Sequence, residues 1–213
     1  MKGSSRVLFI AYRHQTISVG AKAFKRKRSQ VWDNAERNDL IARTAENFAA
    51  DARKTLRRCG ATVDGVRFPA YGVRPRVVVL AETSYHARRL GTRLPRWEVR
   101  DAPPVVADYP WWDVDADPDE ALPPGRIVTL MHAVRYGIAC DVLVRATAGT
   151  GALNWNIIRS GSHREGTRPM LVVDFSDESG GRERADPDVR RREYREQGLV
   201  AVKRKPKLQE KNT

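Results

Sequence analysis

The apolar positions of this chain follow two rhythms. Short runs at Val7 to Ala11, Arg76 to Leu80 (RVVVL), Ile127 to Leu130, Val142 to Val144 and Met170 to Phe175 (MLVVDF) are β-branched or aliphatic. Runs of this length, bounded by turn-forming or polar residues, suit strands buried on both faces of a parallel sheet. Between them the spacing changes. Ile41, Ala45, Phe48, Ala52 and Leu56 recur at intervals of three or four and mark the apolar face of one helix, which Gly60 ends as a left-handed cap. Thr83 or Ser84 is placed to N-cap a second helix running through Leu94. His132 to Gly137 has room for about one helical turn, and Arg190 to Gln197 reads as a charged helix. Strands alternating with helices predict an α/β fold, a parallel sheet flanked by helices.

Within this pattern the stretch Ile127 to Gly151, IVTLMHAVRYGIACDVLVRATAGTG, is the main functional clue. Its second apolar run ends in Ala146, Thr147, Ala148, Gly149, Thr150 and Gly151, small residues that let a ligand approach the backbone closely. Loops beyond the carboxyl ends of parallel strands are where such sheets bind ligands. An ordinary tight loop fits these residues as well.

Composition narrows the partner. The 213 residues suffice for one domain with appendages, and 41% hydrophobic content suffices for a core. The formal charge of +13 favours a polyanion, because Lys and Arg that neutralise phosphates release condensed counterions. No apolar run approaches the roughly 20 residues needed to span a bilayer, and no secretory segment is evident, so a soluble, cytoplasmic protein is expected. Cys59 and Cys140 show no CxxC spacing and read as core thiols, with neither a disulfide framework nor a zinc site indicated.

Charge is unevenly distributed. Residues 1–30 form a basic segment with eight Lys or Arg and no acid, including the run Lys25, Arg26, Lys27 and Arg28. That run fits a solvated cluster and a nucleic-acid contact equally. Residues 101–124 form an acidic insertion with several prolines and the aromatic group Tyr109, Trp111 and Trp112. Asp113, Asp115 and Asp117 alternate there, but the Gly and Glu that a calcium loop requires are missing. Residues 199–213 form a basic tail expected to be disordered.

Taken together, RVVVLAETSYHARRL, IVTLMHAVRYGIACDVLVRAT and RPMLVVDFSDES with REYREQG resemble the second, RecA-like domain of superfamily-two helicases. WDNAERNDLIARTAENFA is similar to the helix that opens that domain, and the resemblance spans roughly residues 31–198. It implies a RecA-like parallel sheet and binding of a DNA or RNA backbone. In the family the first segment leans on that backbone, which points to Thr83 and His86, although a structural role for His86 remains open. The second segment carries a Thr and a Gly that touch phosphate, matched by position to Thr129 and Gly137. The family's Gly-hydrophobic-Asp reads Gly137, Ile138, Ala139 here, which leaves Asp141 as the substitute carboxylate for nucleotide coupling. Arg159 and Arg164 fall in the interval of the arginine finger. No GxxxxGK[ST] phosphate loop occurs. ATP and magnesium are therefore expected only with a complementary first RecA-like domain on another chain, and the chain alone should not hydrolyse ATP. Two other readings compete: a nucleic-acid-binding module without the motor, and a hydrolase using Asp174, Asp177 and His163.

Overall fold

Among the described residues, seven strands pair edge to edge, all parallel, in the order β3-β4-β2-β5-β6-β1-β7. They are β1 (Arg6–Tyr12), β2 (Val77–Ala81), β3 (Glu98–Arg100), β4 (Arg126–Thr129), β5 (Val142–Arg145), β6 (Leu171–Asp177) and β7 (Val200–Ala201). Among the described residues five helices join them: α1 (Ala35–Ala50), α2 (Ala52–Arg58), α3 (Ser84–Gly91), α4 (Leu130–Tyr136) and α5 (Ala185–Glu196). Residues 5–12, 31–61, 68, 74–101, 123–147, 170–177 and 185–202 are described by a computed structural model.

The alternation of side chains along each strand divides the core. Val77, Val79, Val142, Val144 and Leu171 meet Ile41, Phe48, Leu56 and Leu90, which α1, α2 and α3 supply on one face. Val78, Leu80, Leu143 and Val172 meet Ala133 of α4 and Tyr194 of α5 on the other. Phe48, Ile41, Leu56 and Leu90 are fully buried, each worth roughly 1.5–3 kcal/mol relative to exposure. The chain moves toward β3 with α1, α2 and α3 on the first face and back toward β7 with α4 and α5 on the second, the division that a single crossover handedness demands.

The five apolar runs become β1, β2, β4, β5 and β6, and the α/β parallel sheet flanked by helices is the architecture present. Two details of the helices differ from the sequence reading. The long first helix is two, broken at Asp51, which is extended (φ −159°, ψ 96°) and whose carboxylate accepts from Lys54 N at 2.8 Å to cap α2. Asp satisfies an orphan helix donor better from outside the helix than within it. Gly60, at φ 69°, follows α2 in the left-handed conformation. The second helix stops at Gly91, three residues before Leu94, which packs into the core beyond the helix end. β1, inside the basic segment 1–30, pairs with β6 and β7, and its Val7 and Leu8, each 1% exposed, are buried in the cores on opposite faces. β7 likewise extends the sheet beyond residue 198.

Candidate functional site

Because every strand is parallel, all carboxyl ends fall on one edge. Tyr12 of β1, Thr83 just after β2, Thr129 of β4, Ala146 and Thr147 after β5, and Ser176 of β6 lie there. The start of α1 is fastened to this edge. Asn34 caps the helix by accepting from Arg37 N at 2.9 Å, and the Tyr12 hydroxyl donates to the same Asn34 oxygen at 3.1 Å. Arg37 donates to the Ala146 carbonyl at 3.0 Å across 109 residues of sequence.

The most concentrated chemistry is a buried ionic cluster. Arg145 and Asp174 are cross-strand neighbours on β5 and β6, on the face covered by α5. Arg190 and Tyr194, one turn apart on α5, reach down to them. Tyr194 donates to Asp174 Oδ2 at 2.8 Å, Arg145 donates to the Tyr194 oxygen at 2.9 Å, and the Arg190 guanidinium lies 3.4 Å from Asp174 Oδ1. Arg145 also donates to the Thr147 hydroxyl at 2.9 Å, and Arg190 donates to the carbonyls of Phe175 (2.8 Å) and Thr147 (3.4 Å). Asp174 is wholly buried. Burial, then the Asp174 charge, pushes the Tyr194 phenol far above its ordinary range. Burial alone would lower the Arg145 pKa, but Tyr194 and Asp174 outweigh it and raise it. The buried hydrogen bonds and ion pairs of this cluster lock α5 onto the strand ends.

Thr83 N-caps α3, its hydroxyl accepting from His86 N at 3.2 Å, and Thr83 and Ser84 remain partly exposed at the helix start. His86 is fully buried beneath them, with Nε2 3.1 Å from Asn38 Oδ1. Burial, reinforced by the Arg37 charge, lowers its pKa to about 3. A neutral imidazole sealed inside the core supports structure and does not reach a ligand in this arrangement. Thr129 is also buried, and its hydroxyl caps α4 by accepting from His132 N at 3.3 Å.

Gly137, matched with Thr129 as a phosphate pair, stands at the other end of α4, where φ 74° lets it close the helix through its amide to Ala133 O. Seven helical residues put the two roughly 10 Å apart along the axis. Asp141 is farther from the carboxyl edge still. It precedes β5 at the amino edge, where its carboxylate accepts from Arg76 N at 2.8 Å and lies 3.5 Å from the Arg76 guanidinium. Thr129, Gly137 and Asp141 therefore form no common site, and they do not fit the coupling of a nucleotide at this edge.

Arg159, Arg164 and His163, together with Lys25, Arg26, Lys27 and Arg28, lie outside the described residues, as does most of the acidic insertion. Cys59 and Cys140 are unbridged, and burial raises the Cys140 thiol to about 12, leaving it inert. Among the described residues no group of His, Cys, Asp or Glu could hold a metal ion, and no helix is long and apolar enough to cross a membrane.

Sequence reasoning noted Thr147 and Asp174 separately and missed Arg37, Arg145, Arg190 and Tyr194 as their partners. The only local signal was the four-residue spacing of Arg190 and Tyr194 on a charged helix. In comparisons with known proteins, no family model matches this chain and no curated protein matches it.

Proposed function

We propose that the chain is a nucleic-acid-binding domain of the helicase C-terminal kind, gripping a DNA or RNA backbone and acting with a first RecA-like domain carried elsewhere. One observation carries this reading. The three separated stretches that resemble the helicase domain form four contiguous strands, β4-β2-β5-β6, with their carboxyl ends on one edge. The helix expected to open such a domain packs across β2 and β5. At that edge the partly exposed start of α3, with Thr83 and Ser84, offers the phosphate contact. The overall charge of +13 supplies the long-range attraction.

A second reading, a nucleic-acid-binding module or helicase remnant without a motor, is favoured by the dispersal of Thr129, Gly137 and Asp141. The two diverge in one assay. Mixed with a complementary first domain, a working half-helicase raises nucleic-acid-stimulated ATP hydrolysis well above that of the first domain alone. A module leaves the rate unchanged. In both cases the purified chain by itself shows no magnesium-dependent turnover, and turnover by the chain alone would overturn both.

A further inference from the structure

An aromatic ring stands beside the proposed backbone contact at the carboxyl edge. Tyr85 lies in the first turn of α3, one residue after Ser84, and at 36% exposure it is the only exposed aromatic among the described residues. Resting on the nucleic-acid reading of this edge, we propose that Tyr85 is the stacking platform for an unpaired base, which makes single-stranded nucleic acid the preferred ligand.

The ring is braced from two directions. Its hydroxyl donates to Asp33 Oδ1 at 2.5 Å, and the Arg89 guanidinium, one turn along α3, lies 3.5 Å from the same oxygen. The Trp32 indole packs against it, with ring centroids 6.5 Å apart and planes tilted by 57°. Trp32 is itself buried and donates through Nε1 to Glu82 Oε2 at 3.3 Å. A tyrosine has only two side-chain torsions, and these contacts set both before a ligand arrives. Stacking on a pre-set ring therefore loses little conformational entropy.

Charge around the ring separates bases from phosphates. Arg89 is neutralised by Asp33, and Glu82 places a carboxylate beside Trp32, so the platform favours an uncharged base over a phosphate. A phosphate is accommodated one step away. Arg88 is exposed three residues after Tyr85 and four after Ser84, on the same side of the helix, and it forms no ion pair among the described residues. A ring that takes a base beside a cation that takes the adjoining phosphate is the combination used by single-stranded nucleic-acid sites. In a duplex the bases are stacked on one another and offer no free face to the ring.

Fluorescence anisotropy titrations of the full chain test this with four labelled ligands: a short DNA strand, the RNA strand of the same sequence, the DNA duplex, and the DNA strand made abasic throughout. The wild type should bind the intact single strands about tenfold or more tighter than the abasic strand of equal phosphate number. Tyr85→Ala and Tyr85→Leu should each lose about tenfold on the intact strands and be unchanged on the abasic strand and the duplex. Tyr85→Phe keeps the ring and should retain the wild-type preference. Arg88→Ala should weaken all four ligands alike, as expected for a phosphate contact. A Tyr85→Ala loss on only one of the intact DNA and RNA strands also supports the platform and names the nucleic acid. Equal wild-type affinity for intact and abasic strands, full affinity of Tyr85→Ala for the intact strands, or equal Tyr85→Ala losses on all four ligands would overturn the platform while leaving backbone binding at this edge standing. No binding of any strand by the wild type would overturn both.

Discussion

The burial of His86 makes a prediction about acid stability whose size can be worked through. Folding lowers its pKa from 6.5 to about 3. Between those values the unfolded chain binds a proton that the folded chain refuses. The stabilising contribution of the neutral ring is therefore fully present above pH 6.5 and is lost progressively as the pH falls toward 3. Each pH unit in that window costs about 1.36 kcal/mol, so a drop from pH 6.5 to 4.5 should remove about 2.7 kcal/mol. Set against a total stability of roughly 5–15 kcal/mol, this is a large fraction. The carboxylates titrate over the same range, so the effect is isolated by difference. Urea denaturation of the wild type and of His86→Gln, whose amide can still donate to Asn38, should be run at pH 7.5, 6.5, 5.5 and 4.5. The variant loses packing at every pH, but its disadvantage should shrink by about 2–3 kcal/mol between pH 6.5 and 4.5. A difference independent of pH would mean that the folded imidazole titrates normally. His86 would then be accessible, and its exclusion from ligand contact would fail.

Three further outcomes are expected. Asp174→Asn leaves Arg145 and Arg190 as buried cations without their shared carboxylate and should lower stability by about 3–5 kcal/mol in urea. A loss under about 1 kcal/mol would show that the backbone carbonyls alone satisfy the arginines. Gly125→Ala forces a methyl group into the Trp97 ring and should cost about 1–3 kcal/mol in thermal or urea unfolding, with a shift in tryptophan emission. Thr129→Val removes the α4 cap and should cost about 1 kcal/mol with nucleic-acid affinity unchanged, whereas a tenfold loss of affinity would return Thr129 to the binding site.

The strands were legible because their sequences carry the signature of complete burial: Val77 to Ala81 and Val142 to Arg145 are buried at every position. The helix break was not. The apolar spacing of Phe48, Ala52 and Leu56 continues through Asp51 at a regular interval of four, so periodicity masks the point where the backbone leaves the helix. β3 and β7, of three and two residues, are too short for alternation to register. The ionic cluster was invisible for a different reason. Arg145, Asp174 and Tyr194 are 20 to 49 residues apart, and only the sheet order and the return of α5 bring them together. Matching by position also paired Thr129 with Gly137, since a short helix hides in sequence the separation that it creates in space.

Nucleic-acid binding by the carboxyl edge is the claim on which the functional reading stands, and its most direct test is the affinity of the full chain for a single-stranded and a double-stranded oligonucleotide across 50–400 mM salt. Phosphate contacts release counterions, so log affinity should fall linearly with log salt, by about 0.7–0.9 per phosphate engaged, and vary little with sequence. Substituting both Thr83 and Ser84 with Val should weaken binding at every salt concentration by about tenfold, with the fold intact by circular dichroism. No binding at 50 mM salt, an affinity independent of salt, or full affinity in the Thr83 and Ser84 variant would contradict this account.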